Sequence, residues 1–558
     1  MKALKITIIA LLAGFSMASC DFLDKEPTKL TPENYFNTPA EANSFLTGIY
    51  AILSQPTFYG GDYMYLVAGD DLSHYGGSGR GPASTGLICN NATTSDNAVT
   101  AFWYALYSGI NRANMFLENI DKVNGFDAGV KEQYIAEARF LRAFYYFNLV
   151  ECWGDVPFKT VSTQSVTNLN IPRTDKQEIY DFIISEMADA ADTGLKSASD
   201  LAYKPGRISQ STAWGILARV YLFRAGEHYR EGRNATQAEK KDYAQKVMTA
   251  GHKLAANYWD PFIDMCSDKY NTTANESIWE AEFAGNNTSD TQAEGRIGNI
   301  IGLAGPDLSS KSDVTGAKDP GYGYAFIYST PKLYNLYVNN GDTKRFNWSI
   351  APFEYKEAGG KNTGVTHREF EQGKLAEVMS QYGQQRGTYQ YADDTEKTTA
   401  TKNFSRMCGK YRREYEADKK DKNYTSINFP ILRYADVLLM IAEAENEANN
   451  GPTTLAYQCM KEVRERAGLN ELPDMTQEEF RQTVKDERAM ELCFEYTRRF
   501  DLIRWGEYVK NMRALVTEAQ SGNNWTQGPT NVYTYFNISS TYNYFPFPDA
   551  EMSVNIDI

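Results

Sequence analysis

A mainly α protein, built of tetratricopeptide-like helix pairs with a long loop-rich insertion carrying a few short strands, is the fold class that this 558-residue sequence predicts. Two observations carry the prediction. Apolar residues recur at helical spacing in two separate regions, and between them runs a stretch rich in Gly, Asn, Thr, Ser and Tyr with weak periodicity. The elements follow in chain order.

The chain opens Met1-Lys2-Ala3-Leu4-Lys5 and stays largely apolar to Phe15, a basic start followed by an apolar run too short to span a bilayer. Met17-Ala18-Ser19-Cys20 closes that run with small residues directly before a cysteine. Residues 1–19 therefore read as a lipoprotein signal peptide and Cys20 as the acylated residue. Each buried CH₂ contributes about 0.8 kcal/mol, so two or three acyl chains hold a soluble body on a membrane. Residues 20–40 read as a lipidated tether, because 21–27 is polar and does not start a strand.

Residues 41–259 read as a helical scaffold, with amphipathic helices over 41–54, 98–120, 130–153, 176–191, 209–227 and 239–256. The third is the clearest: Ala136, Phe140, Ala143, Phe144 and Phe147 make one apolar stripe, with Glu137, Arg139 and Arg142 off it. Ala213, Gly215 and Ala218, beside Trp214 and Tyr221, let antiparallel helices approach closely, as tetratricopeptide-like pairs do; a plain irregular bundle fits the same spacing. A glycine-rich insertion, 60–97, interrupts this scaffold. Residues 260–430 form the loop-rich region, with one strand at 276–283 and a polar stretch, 356–400, that has little to build a core. Long irregular segments on a rigid scaffold commonly carry binding function. Residues 431–558 return to helices: Ala435, Leu438, Leu439 and Ala442 repeat at i, i+3, i+4, i+7, and helices follow at 452–466 and 477–498. Residues 20–558 read as one compact unit.

Composition excludes several function classes. A formal net charge of −14 argues against nucleic acid or anionic lipid as the main partner. None of the 7 cysteines lies in a CxxC pair or at zinc spacing, and the 4 histidines are far apart. HExxH, GxSxG and the P-loop pattern are absent. The excess is in aromatics: 38 Tyr beside 28 Phe and 8 Trp suit a protein that meets sugar rings, whose C–H faces pack on aromatic planes.

Four stretches resemble one family. Glu137-Ala138-Arg139-Phe140-Leu141-Arg142-Ala143-Phe144-Tyr145-Tyr146, with Gly154-Asp155-Val156-Pro157 after the helix, is similar to the central motif of SusD/RagB glycan-binding lipoproteins. So are Arg433-Tyr434-Ala435-Asp436-Val437-Leu438-Leu439, followed by Ala442-Glu443-Ala444, and Arg498-Arg499-Phe500-Asp501-Leu502-Ile503-Arg504-Trp505-Gly506. Phe545-Pro546-Phe547-Pro548 resembles the family's terminal Pro-x-Pro signature. The resemblance spans nearly the whole mature chain. It implies a SusD-like fold of four tetratricopeptide-like helix pairs under a loop-rich face. It also implies an outer-membrane lipoprotein, facing the exterior of a Gram-negative cell, that binds oligosaccharides and delivers them to a SusC-like, TonB-dependent transporter. A RagB-like peptide-capturing lipoprotein is the alternative, with a surface glycoside hydrolase behind it.

The motif residues themselves have a structural reading. Arg139 and Arg142 can pair with Glu137 or with carboxylates on neighbouring helices. Arg433, Asp436, Arg499, Asp501 and Arg504 look like a helix-docking polar network, while Trp505 suits packing of the last helix and Trp103 and Trp153 suit core positions. The resemblance implies ligand contacts from the loop after the first helix and from the long middle region. In the first, the candidates are Asp70, Asp71, His74, Tyr75 and Arg80: charged groups for hydroxyl pairs and an aromatic plane for a ring. In the second they are Tyr322, Tyr324 and Tyr328, where the glycines of Gly321-Tyr322-Gly323-Tyr324 are expected to expose ring faces. Packing of its own loop is the competing role for each tyrosine.

No catalytic residues are expected. A retaining glycosidase needs two carboxylates about 5–5.5 Å apart, and nothing selects a pair such as Asp70-Asp71 or Asp393-Asp394 over any other. No cofactor is expected. A structural calcium ion stays unassigned, because no Asp-x-Asp-x-Asp-Gly spacing occurs.

Overall fold

A computed structural model describes residues 35–75, 90, 92–163, 165, 169–226, 237–267, 275–284, 294–305, 307, 321–351, 406–416, 421–520 and 538–558. The 1–19 signal, Cys20, Arg80 and the polar stretch 356–400 lie outside the described residues.

Helices dominate, and they are stacked in series. Pro39–Tyr50, Asn97–Asn119, Val130–Trp153, Lys176–Thr193, Gln210–Arg224 and Gln237–Met248 each pack on the next in chain order. The stack then jumps along the chain. Gln237–Met248 packs on Tyr434–Ala448, which packs in turn on Thr454–Arg466 and Gln477–Leu492. The loop-rich region thus leaves and re-enters the scaffold between two helices that touch. Serial stacking of this kind buries a continuous core along the whole row of helices.

Local sequence explains the boundaries. Gly129 (φ +79°) opens the helix Val130–Trp153 and Gly154 (φ +75°) closes it, both in backbone that side-chain-bearing residues rarely adopt. Phe144 on its stripe packs against Trp279, ring centres 4.7 Å apart at 70°. The polar residues off the stripe are engaged as well. Glu137 accepts from Tyr50 Oη at 2.8 Å and from Arg207 Nε at 2.9 Å, whereas Arg139 and Arg142 both reach Glu186 on the next helix. The arginines therefore pair across helices and not with Glu137. The helix expected over 239–256 stops at Met248, just before Gly251 (φ +88°). Gly215 admits a strand rather than a helix: a Cβ there would stand 2.4 Å from Leu432 Cδ2.

Three small sheets accompany the helices, and two of them include strands of the loop-rich region. Ser277–Ala281, inside the predicted strand, pairs antiparallel with Phe429–Arg433. Val156–Pro157 pairs with Arg173–Thr174. A four-stranded antiparallel sheet runs in the order Ser73–Tyr75, Ile327–Ser329, Met407–Cys408, Ile350–Ala351. The same region also holds helices that periodicity does not predict, Asp260–Ser267, Pro331–Asn340 and Thr343–Ser349. Cys152, Cys266, Cys408, Cys459 and Cys493 are buried free thiols, and Trp103 and Trp153 are core.

The returning helices dock through buried ion pairs. Asp436 accepts from Arg219 and Arg488, both at 2.7 Å; Arg488 continues to Asp501 at 2.9 Å, and Arg504 bridges Asp501 (2.8 Å) to Glu443. Arg433 belongs to a second network, with Glu276, Glu491 and Glu495. Arg499 belongs to neither: it donates to the carbonyls of Gly69 and Tyr542, to Asn90 and to the Tyr508 hydroxyl.

Candidate functional site

Two of the loops singled out above lie side by side as antiparallel strands. His74 stands opposite Tyr328, Tyr75 opposite Ile327 and Ser73 opposite Ser329. This pairing buries most of the residues expected to face a ligand. Asp71 is fully enclosed and accepts from Arg498 at 2.7 and 3.0 Å and from Lys332. Asp70 accepts from the backbone N–H groups of Leu72 (2.8 Å) and Ser73 (2.9 Å), so it shapes its own turn. His74 and Tyr328 stack on each other at 5.9 Å, and both are buried, as is Tyr75. The expectation for Asp70, Asp71, His74, Tyr75 and Tyr328 is therefore corrected. The carboxylates of Asp70 and Asp71 serve the fold, and burial closes the rings of His74, Tyr75 and Tyr328 to a sugar in this arrangement.

Tyr322 and Tyr324 are different. With Phe326 they form a half-buried row, alternating with Gly321, Gly323 and Ala325. Tyr324 lies flat on Phe326 (4.7 Å, 8°), and Tyr322 meets Tyr324 edge-on (4.9 Å, 74°). Phe326 in turn rests on buried Tyr75 and Tyr65 at 5.8 and 6.3 Å. The Lys422 ammonium sits 5.4 Å from the Tyr322 ring centre and pairs with Asp307 at 2.9 Å. Asp307 raises the pKa of Lys422, and burial followed by the neighbouring Tyr324 raises that of Tyr322.

The row is fixed from behind. Buried Arg413 donates to the Tyr322 carbonyl at 2.8 Å and to the carbonyls of Asp421 and Tyr424 at 2.8 Å, and it pairs with Glu416 at 2.7 Å. The Tyr324 and Phe326 N–H groups donate to Asn299 and Ile300 carbonyls at 2.8 and 2.9 Å. The glycines have a reason other than ring exposure. A Cβ at Gly321 would stand 2.4 Å from Arg413 Cβ, and one at Gly323 would stand 2.1 Å from the Leu303 carbonyl oxygen. Sequence reasoning passed over Phe326, although it continues the Tyr322, Tyr324 alternation. Lys422 and Asp307 carried no local signal. Chemically the row offers aromatic surface for C–H faces, with phenols, an ammonium and a carboxylate for hydroxyls. Among the described residues no group of His, Cys, Asp and Glu side chains could hold a metal ion.

Burial around these loops sets a pH dependence. Burial lifts Glu151 to about 8 and Glu280 to about 7, and burial with the repulsion of Asp71 lifts Asp70 to about 7. Such carboxyls bind a proton in the fold that the unfolded chain has lost, so their contribution fades as pH rises through those values. Asp71, Asp436 and Glu443 act oppositely. Burial would raise them, yet their arginine partners (with Lys332 at Asp71) hold each at about 2, so their stabilisation is lost only in strong acid. Burial also drops His74 to about 4, which penalises the fold as pH falls below the ordinary histidine range. We expect thermal stability to be highest near about pH 4–5 and to decline by about 2–4 kcal/mol, a few degrees in Tm, by about pH 8, where these carboxyls are ionised in both states. Melting curves across that range check this, and a flat profile contradicts it.

Comparison with known proteins agrees with this architecture. Residues 275–558 match the SusD family, and residues 21–222 match a family described as starch-binding associating with outer membrane. SusD-like protein P2 of Formosa agariphila is 27% identical over 520 residues, covering 90% of this chain and 91% of that protein. A SusD homolog from Bacteroides thetaiotaomicron superposes with a TM-score of 0.79 at 27% identity, covering 96% of this chain and 99% of that one. A laminarin-binding SusD-like protein shares the fold at a TM-score of 0.67 and 22% identity, covering 93% of this chain and 98% of its own.

Proposed function

The chain belongs to the SusD family, and we propose that it is a cell-surface lipoprotein which captures oligosaccharides and passes them to a SusC-like, TonB-dependent transporter in the outer membrane. Acylation at Cys20 anchors it, and capture rather than catalysis is its role. The observation that carries the binding part is the fixed, half-exposed row of Tyr322, Tyr324 and Phe326, edged by Lys422 and Asp307. Family membership and the laminarin-binding relative support a carbohydrate as its partner. A row held by Arg413 loses little freedom on binding, so stacking is available without an ordering cost.

Glycan-array binding together with a reducing-sugar release assay tests this reading. Binding without release is the expected result; release would identify a hydrolase. For a bound oligosaccharide, Tyr322→Ala or Tyr324→Ala should weaken affinity about tenfold, a loss of about 1.4 kcal/mol, with Tm unchanged. Calorimetry on both variants measures it. Unaltered affinity in both would move the ligand elsewhere on the loops.

A further inference from the structure

A cleft of about 430 Å³ opens on the helical scaffold and shares no residue with the aromatic row. Its volume falls in the range of small-molecule sites, about 300–1,000 Å³. One wall is a single face of the helix Pro39–Tyr50, made of Asn43, Leu46, Thr47 and Tyr50. Lys204, Gly206 and Arg207 line it from the turn before the helix Gln210–Arg224, and Glu282 stands just past the strand Ser277–Ala281. Gly206 allows Glu282 to close that side, since a Cβ there would lie 2.2 Å from the carboxylate carbon.

Arg207 is pre-positioned. Its Nε donates to both oxygens of fully buried Glu137, at 2.9 and 3.1 Å, and its guanidinium lies 5.6 Å from the Tyr134 ring centre. Glu137 also accepts from Tyr50 Oη at 2.8 Å and Gln133 Nε2 at 2.6 Å, so its charge is spread over several donors behind the cleft. Among the described residues no acceptor meets the two terminal nitrogens of Arg207, and that side chain stays 39% exposed. Lys204 is exposed and has no ion pair among the described residues. Lys204 and the terminal nitrogens of Arg207 thus present two reachable cationic groups to the cleft, with Glu282 on its other side and Glu137 enclosed behind Arg207.

We infer that this cleft binds a carboxylate-bearing sugar residue of the uronic acid class. The paired terminal N–H groups of a fixed guanidinium match a carboxylate's two oxygens, and Lys204 adds the second charge. Asn43 and Thr47 offer a mixture of donors and acceptors suited to ring hydroxyls. The inference is independent of the capture reading above, because it uses none of the same residues.

Ligand-observed NMR on the full-length protein, with glucuronate as probe and glucose as its neutral counterpart, tests it. Expected are saturable glucuronate binding weakened by added salt, a loss of about tenfold in Lys204→Gln, and no binding in Thr47→Trp, whose indole fills the cleft from an exposed helix position. Arg207 is left intact, because removing it would strand buried Glu137. Tyr322→Ala should bind glucuronate like the parent, which separates failure here from failure of the aromatic row. Glucose binding as tightly as glucuronate, no saturation with glucuronate, or parental affinity in both cleft variants would overturn the assignment.

Discussion

Replacing Arg433 with alanine is expected to destabilise the protein by about 3–5 kcal/mol, because it strands buried charge. Arg433 ends the strand Phe429–Arg433, and the helix Tyr434–Ala448 begins directly after it. Its guanidinium spans three carboxylates: Glu276 at 2.6 Å, Glu495 at 2.7 Å and Glu491 at 3.2 Å. Arg466 shares Glu276 and Glu491, Arg345 shares Glu491 with Glu487 and Asp342, Arg464 joins Glu487, and Lys410 joins Glu495. Five cations thus face five anions with almost no solvent. Burial alone would lower the pKa of Arg433, yet the three glutamates hold it well above its ordinary value. Loss of one cation leaves an uncompensated carboxylate in low dielectric, and that desolvation cost outweighs the lost packing. Arg433→Lys should fall between parent and alanine, since it keeps the charge but not the forked geometry. Denaturant midpoints of the three proteins check the order, and equal loss in Lys and Ala would mean that geometry, not charge, holds the site.

The two buried networks show where the sequence was legible. Arg433, Asp436, Asp501 and Arg504 stand out because charged residues punctuate an apolar helical pattern, which marks them as buried polar contacts. Their partners Glu276, Glu491 and Arg219 were not legible, since pairing them requires the tertiary path of the chain. The helix 130–153 could be bounded to the residue because glycines flank a clean stripe. By contrast, Leu254, Ala255 and Ala256 prolong an apolar pattern beyond Met248, where left-handed Gly251 marks the break. Pro331–Asn340 was hidden by its tyrosines and asparagines, although Thr330 before Pro331 is a helix-start signal, and Thr330 does cap Leu333. At the candidate site the difficulty was distance in sequence. Nothing near Tyr75 indicates that Ile327 will lie opposite it, and that single pairing turns exposed loops into a buried sheet. Tyr322 and Tyr324 stay at the surface because Arg413 and Leu303 press on the glycines beside them, and not on the rings.

Replacing Cys20 with alanine should shift the protein from the membrane fraction to the soluble fraction in cells that lack the proposed SusC-like transporter. The argument is one of length and area. Without the thiol there is no acylation, and without acylation the signal is left uncut, so the apolar run 6–15 becomes the remaining anchor. As a helix, ten residues reach about 15 Å against a hydrocarbon core of about 30 Å, so the run cannot span. No described helix is long and apolar enough to cross a membrane either. Two acyl chains contribute about 0.8 kcal/mol per buried CH₂, whereas even one chain alone gives only marginal, reversible binding. Deleting the transporter matters, because a docked partner could retain the protein without any lipid. Fractionation with detection of the chain in both pools is the measurement. Undiminished membrane retention in that background would mean that something other than Cys20 carries the anchor, and release of the variant only when the transporter is absent would show the two attachments acting in parallel.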